Sequence, residues 1–98
     1  MNYIHPTALI GPNVIMGDNN YIGPYCVIGY PAEHKKFWGV QGNSTVTIGS
    51  NNKFTGHVTI DAGTERNTYI GNDVWMLKHS HVGHDAYIQS GVTLSCGA

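Results

Sequence analysis

A large apolar residue recurs at every sixth position through most of the chain, and this period constrains the fold more than any other feature. A smaller residue stands two positions before each of these large residues, and glycine often stands directly after it. Residues two apart share one face of a strand, so each hexad predicts a short strand with two inward side chains and a tight corner opened by glycine. Three such sides form one coil of a β-solenoid. The sixth positions are Ile4, Ile10, Met16, Ile22, Ile28, Ile48, Phe54, Ile60, Ile70, Met76, Val82, Ile88 and Leu94.

Helical and sandwich folds fit this pattern poorly. An amphipathic helix needs apolar residues three and four apart, and the Gly-Pro pairs after Ile10 and Ile22 would break it. Sandwich strands alternate, but nothing in a sandwich maintains a six-residue phase along the chain. The sequence therefore predicts an all-β protein, a left-handed parallel β-helix of hexapeptide repeats that forms a single domain over residues 1–98.

Composition excludes several classes of partner. The chain of 98 residues has a formal net charge of −1 and scattered cations, so it offers no electrostatic footprint for nucleic acid or an anionic membrane. No apolar run approaches the roughly 20 residues of a spanning helix, and nothing resembles a signal peptide. Cys26 occupies an inward position and Cys96 lies near the end, which suggests neither a disulfide framework nor a zinc knuckle. We expect a cytoplasmic protein without a cofactor.

Two segments interrupt the repeat. About 14 extra residues separate Ile28 from Ile48 and predict a protruding loop at about 30–46, whose Phe37 and Trp38 would pack on a neighbouring coil or subunit. A shorter insertion before Ile70 predicts a corner loop at 63–67. Interruptions of a repeat are common places for functional residues.

Three of the six histidines lie between positions 79 and 84. The phase places Ser80 and Val82 inward, so His79 and His81 should point outward, and His84 should face out at a corner. Imidazole suits general acid or base chemistry near neutral pH, and the following Asp85 could hold one tautomer. The alternative is three solvated histidines in a histidine-rich repeat.

Several motifs together resemble the UDP-N-acetylglucosamine acyltransferases of lipid A biosynthesis, a family of the hexapeptide-repeat acyltransferase superfamily. The similarity covers nearly all of this chain but only about the first half of such an enzyme. The motifs, in order, are Ile-His-Pro-Thr-Ala at 4–8, Lys-Phe-Trp-Gly at 36–39, Ile-Gly-Ser-Asn-Asn at 48–52, Val-Thr-Ile-Asp-Ala-Gly-Thr at 58–64 and Ser-His-Val-Gly-His-Asp at 80–85.

The resemblance implies a homotrimer that moves an acyl group from a thioester carrier, acyl carrier protein or coenzyme A, to a nucleotide sugar. The general base would be His84, which deprotonates the sugar hydroxyl, and Asp85 would orient it. His81 would bind the sugar nucleotide, and Lys36 would reach the substrate in a cleft between subunits. His79 is a further binding candidate beside them.

The chain departs from the family at two binding positions, and its sequence ends before the family's later coils. His34 stands where the family has a loop aspartate, and Asp61 stands where it has a histidine. The coil that supplies the family's oxyanion-stabilising N–H, the later coils and the C-terminal helices have no counterpart in this sequence. A catalytically inactive trimeric module that binds a sugar nucleotide or serves a structural role is therefore the second hypothesis.

A third hypothesis is a metal enzyme like the γ-class carbonic anhydrases, which are also trimeric left-handed β-helices. His79 and His84 have a His-x4-His spacing, and three-histidine sites suit zinc. The expected first ligand position holds Asp61, however, the histidine pair is one residue out of register, and the Arg-x-Asp signature of that family is missing. The sequence therefore predicts no tightly bound zinc.

Overall fold

The computed structural model describes residues 1–36 and 45–98, and the regular elements in these ranges are all short β-strands. They form three parallel sheets, each named here with its strands in spatial order. Sheet A contains β1 (Tyr3–Ile4), β4 (Tyr21–Ile22), β7 (Lys53–Phe54), β10 (Trp75–Met76) and β13 (Thr93–Leu94). Sheet B contains β2 (Leu9–Ile10), β5 (Val27–Tyr30), β8 (Thr59–Asp61) and β11 (His81–Val82). Sheet C contains β3 (Val14–Met16), β6 (Val46–Ile48), β9 (Thr68–Ile70) and β12 (Tyr87–Ile88).

Each strand pairs with the strand one coil later. Ile4 pairs with Ile22, 18 positions further on, which corresponds to three six-residue sides. Both insertions are accommodated without a change of face, since Ile22 still pairs with Phe54 and Phe54 with Met76. The predicted left-handed parallel β-helix is confirmed.

The sixth-position residues and their smaller partners fill the interior. Those of the middle coils are almost completely buried, and the terminal coils add partly buried members such as Ile10 and Leu94. Cys26 lies in this interior as predicted, and burial raises the pKa of its thiol, although nearby backbone hydrogen bonds oppose the shift. The buried hydrophobic cluster comprises Ile22, Cys26, Ile28, Val46, Ile48, Phe54, Val58, Ile60, Ile70, Val74, Met76 and Val82.

The corners differ from the sequence prediction. The left-handed backbone conformation lies three positions after the inward residue rather than at the glycine directly after it. Non-glycine residues occupy most of these corners, namely Asn19, Tyr25, Asn51, His57, Asp73, His79 and Asp85, with φ between 49° and 66°. The glycine one position after the inward residue serves close packing instead: a Cβ at Gly23 would lie 2.6 Å from the carbonyl oxygen of Thr55 in the next coil.

Both interruptions of the repeat lie between strands, the longer one between β5 and β6. The long loop at about 30–46, called the excursion below, leaves sheet B at a bulge between Ile28 and Tyr30, and Gly29 has a φ of 84° there. The predicted packing of Phe37 and Trp38 lies outside the described residues. The corner loop 63–67 joins β8 to β9 as predicted. The described part of the chain contains no helical segment with the length and hydropathy of a membrane span.

Candidate functional site

The candidate site lies along one end of sheet B, where successive strands bring distant residues together. His81 lies on β11, Asp61 ends β8, and Glu33 and His34 follow β5. Because these strands are parallel and in register, their ends meet at the same edge of the sheet. His84 follows β11 at the adjacent corner.

His84 and Asp85 form the pair that the sequence predicted. The imidazole Nδ1 lies 3.0 Å from Asp85 Oδ2. An ionised carboxylate only accepts hydrogen bonds, so Nδ1 carries the proton and Nε2 of a neutral ring keeps its lone pair. The side chain of His84 is 30% exposed, which leaves the ring accessible to a ligand.

The corner loop 63–67 encloses the carboxylate of Asp85. Its Oδ1 accepts hydrogen bonds from the backbone N–H groups of Thr64, Glu65 and Arg66 at 2.7, 3.2 and 3.1 Å. Its Oδ2 accepts from the Thr64 hydroxyl as well as from His84. Arg66 Nε donates to the backbone carbonyl of Asp85 at 2.8 Å, which joins loop and corner a second time.

These donors keep Asp85 ionised. Burial by itself opposes ionisation, but the hydrogen bonds from the Thr64 hydroxyl, from His84 and from the backbone N–H groups of Thr64 and Arg66 outweigh it. The pKa of Asp85 therefore lies well below its ordinary value. An ionised partner fixes the tautomer of His84.

His34 contacts His84 from the other side. The two rings meet edge to face with centroids 5.3 Å apart. The backbone N–H of Lys36 donates to Nδ1 of His34 at 3.1 Å, so a neutral His34 carries its proton on Nε2. The start of the excursion thus supplies one wall of the site, and Lys36 is exposed beside it.

His81 and Asp61 form a second pair. Nδ1 of His81 lies 2.7 Å from Thr59 Oγ1, and Nε2 lies 3.7 Å from Asp61 Oδ2. Asp61 retains only 9% of its surface exposed. Its pKa is raised by burial and by the charge of Glu33, against the opposing effects of the Glu33 N–H and of His81.

His79 lies apart from these residues. It precedes β11, whereas His84 follows it, and its ring stacks on His57 with centroids 4.9 Å apart. His57 in turn lies 5.2 Å from the ring of Tyr25 on the same corner of the coil. His79 and His81 are both exposed, as their phase predicts, but they belong to different surfaces.

Sequence reasoning missed three contributors to the site. Glu33 lies within the loop at about 30–46 and Thr59 within the motif at 58–64, and neither has a sequence signal of its own. Thr64 carried a usable signal, since a threonine that follows glycine in a corner loop can donate both its N–H and its hydroxyl. Its partner Asp85 is 21 positions away, however, and that pairing depends on the stacking of coils.

Comparisons with known proteins agree with the fold. Residues 1–30 match the family described as bacterial transferase hexapeptide (six repeats). An acyl-(acyl-carrier-protein)–UDP-N-acetylglucosamine O-acyltransferase of Stenotrophomonas maltophilia is 41% identical over 72% of this chain and 27% of its own length. One from Janthinobacterium is 30% identical over 100% of this chain and 52% of its own. The crystal structure of LpxA, a UDP-N-acetylglucosamine acyltransferase from Bacteroides fragilis, superposes with a TM-score of 0.87 and 38% identity, over 95% of this chain and 36% of that one.

The fold and the six-residue repeat define a hexapeptide-repeat protein of the left-handed β-helix class. Within this class the chain is related in sequence and structure to the UDP-N-acetylglucosamine acyltransferases, which confirms the resemblance seen in its motifs. The chain spans between 27% and 52% of the length of these relatives.

Proposed function

We propose that the protein is an acyltransferase that moves an acyl group from a thioester carrier to a hydroxyl group of a nucleotide sugar such as UDP-N-acetylglucosamine. The observation that carries this proposal is the pair His84–Asp85, in which an enclosed carboxylate holds the imidazole with Nε2 as the basic atom. The names of the relatives supply the class of donor and acceptor.

In the proposed reaction, Nε2 of His84 removes the proton of the sugar hydroxyl as its oxygen attacks the thioester carbonyl. Collapse of the tetrahedral intermediate breaks the C–S bond, and the imidazolium returns its proton to the departing thiolate. Asp85 remains ionised throughout and stabilises the imidazolium, as an orienting carboxylate does in other nucleophile–base systems.

The neighbouring polar residues are the proposed contacts of the nucleotide sugar. His81, Asp61, His34 and Lys36 belong to the same edge of sheet B as His84. We leave His79 out of this group because its ring stacks on His57 at the other end of β11. The sequence-based grouping of all three clustered histidines is therefore replaced by two separate surfaces.

The assembly and setting of this activity follow the same proposal. The proposal also includes a homotrimer with the excursion at a subunit boundary. The donor is acyl carrier protein or coenzyme A, and the location is cytoplasmic. Transfer to an amino group of the sugar uses the same base and is an alternative within the proposal.

The test is thioester consumption by the full chain over a panel of nucleotide sugars. His84→Ala is expected to lower kcat by about 10²–10⁴, the usual contribution of a positioned base, with an unchanged melting temperature. His57→Asn is the control, since His57 is an exposed corner histidine outside the site and asparagine tolerates its φ of 49°. Equal turnover in His84→Ala and in the wild type would refute the base assignment.

A second candidate function is a non-catalytic module that binds a sugar nucleotide. It uses the same polar groups at the edge of sheet B, and it needs no base at His84. Equilibrium dialysis with a labelled nucleotide sugar separates the two functions. Binding without any thioester turnover supports the module, and turnover that depends on His84 supports the enzyme.

A further inference from the structure

A second cluster of chemically active groups lies beside His84 and is not used by the proposed base. Glu33, Asp61 and His81 each offer one oxygen or nitrogen, and these three atoms all lie within 4.8 Å of one another. They come from the segment after β5, from β8 and from β11, so three successive coils contribute one group each.

The charges of this cluster do not balance. Two carboxylates share the cluster, and one of them, that of Asp61, is largely buried. An imidazole carries at most one positive charge, so His81 cannot balance both carboxylates. Its Nε2 is 3.7 Å from Asp61 Oδ2, which is too long for a hydrogen bond. A divalent cation would compensate both negative charges at once.

The orientation of His81 suits a ligand. Thr59 Oγ1 contacts Nδ1 at 2.7 Å and thereby fixes the ring with Nε2 towards Asp61. Histidines that bind metals generally have their other ring nitrogen held by a hydrogen-bonding partner in this way. Because Asp61 belongs to a paired strand and is almost buried, the position of its carboxylate is also restricted.

The distances are close to those of a metal site. Zinc bonds of about 2.0–2.2 Å place tetrahedral ligand atoms about 3.3–3.6 Å apart. The separation of 3.7 Å between His81 and Asp61 is already near this value. Glu33 is exposed, so rotation of its side chain can bring its carboxylate to the same distance.

We propose that Glu33, Asp61 and His81 bind one divalent transition-metal ion, with Zn²⁺ as the preferred occupant. One imidazole and two carboxylates suit zinc, and they leave a fourth position open to water or a substrate oxygen. The site differs from the His79 and His84 pair considered from spacing, and it departs from the sequence-based prediction of no bound zinc. It goes beyond the proposed acyl transfer and does not depend on it.

The test is calorimetric titration of ZnCl₂ into the full chain, prepared without an affinity tag and freed of metal. An exposed thiolate also binds zinc, so every protein carries Cys96→Ser. One zinc ion per chain is expected. Asp61→Asn, Glu33→Gln and His81→Asn should each weaken its binding at least tenfold.

Each ligand variant has a matched control outside the cluster. Asp73→Asn, Glu65→Gln and His57→Asn make the same three chemical changes at exposed positions and should leave the affinity unchanged. Asp61→Asn and His81→Asn change residues on strands and could destabilise the fold. Glu33→Gln keeps the test decisive in that case, because Glu33 is exposed and lies outside the strands. Absence of zinc binding, unchanged affinity in Glu33→Gln, or an equal loss in His57→Asn overturns the proposal.

Discussion

The two carboxylate oxygens of Asp85 have different partners, and this difference decides which nitrogen of His84 is basic. Oδ1 accepts hydrogen bonds from the backbone N–H groups of Thr64, Glu65 and Arg66, and these groups can only donate. Oδ2 accepts from the Thr64 hydroxyl and from His84 Nδ1. A single residue therefore connects the corner loop to the tautomer of the proposed base.

Asp85→Asn should reverse that tautomer. The amide oxygen must stay at the backbone N–H groups, so the NH₂ group takes the place of Oδ2 and donates to Nδ1 of His84. The ring proton then moves to Nε2, which can no longer accept a proton from a substrate. We expect kcat to fall by about 10²–10⁴, and ¹⁵N NMR of the imidazole to show the proton on Nε2 in place of Nδ1.

Asp73→Asn is the matched control for this experiment. Asp73 occupies the same left-handed corner position, with φ of 57° against 64° at Asp85, and it is exposed. It should change neither turnover nor the His84 resonances. An Asp85→Asn protein whose His84 still carries its proton on Nδ1 would contradict the proposed role of the carboxylate.

For single residues, the sequence predicts whether a side chain points inward or outward better than it predicts which group that side chain contacts. The repeat phase correctly placed Ser80 inward and His79 and His81 outward, because a strand fixes the face of each residue. The pairing of His84 with Asp85 was also predictable, since the two are adjacent. The contacts of His79 with His57 and of Asp85 with Thr64 were not, because they join different coils.

Among the elements, the inner edge between sheets C and A is held by a ladder of asparagine side chains. Asn20 and Asn52 are buried at the small inward position. The Asn52 side chain donates to Gly71 O at 2.9 Å and accepts from Val74 N–H at 2.7 Å. The backbone N–H of Asn52 donates to Asn20 Oδ1 at 3.0 Å. Backbone groups of two successive coils thus find partners on asparagine side chains inside the helix.

Asn52→Ala should destabilise the protein by about 2–5 kcal/mol, because it leaves one buried carbonyl and one buried N–H without partners. The free energy of unfolding in urea is the measurement. Gln89→Ala, which truncates an exposed amide, is the control and should change it by less than about 0.5 kcal/mol. An equally small effect in Asn52→Ala would show that the ladder does not support the coil.

The corner loop 63–67 should make stability depend on pH through Asp85. The pKa of this carboxyl is lowered in the folded protein, so the unfolded chain binds more protons in acid. Its contribution is complete above the unfolded pKa of about 3.9 and is lost as pH falls from there towards the lower folded value. The stability difference between wild type and Asp85→Asn should therefore shrink as the pH falls below about 4. A difference that grows towards acid would contradict this assignment.

Strands and loop positions could be predicted because each follows from counting inward residues. The left-handed corner residues were misplaced, since a glycine nearby looked sufficient to open the turn. Asparagine, aspartate and histidine tolerate positive φ more readily than most residues, and this tolerance is the signal that was available at Asn51, Asp73 and Asp85. The packing of Phe37 and Trp38 remains a prediction.

Across the whole molecule, large apolar side chains lie exposed on all three outer faces. Sheet A presents Tyr3 stacked on Tyr21, and sheet C presents Tyr69 stacked on Tyr87. Leu9 on sheet B is 52% exposed. A chain of 98 residues buries a limited fraction of its surface in its own core, so further burial between subunits would add substantially to its stability. The charge of −1 offers little repulsion against such association.

We expect the protein to form a cyclic trimer with parallel helix axes and with the excursion at 30–46 near the neighbouring subunit. Light scattering after size exclusion should give a mass three times that of the 10.6 kDa chain at micromolar concentration. Because a trimer dissociates on unfolding, its melting temperature should rise with protein concentration, whereas that of a monomer does not. A stable species of 10.6 kDa with a concentration-independent melting temperature would refute the trimer. It would also require the proposed site to work within one subunit, from sheet B and the corner loop alone.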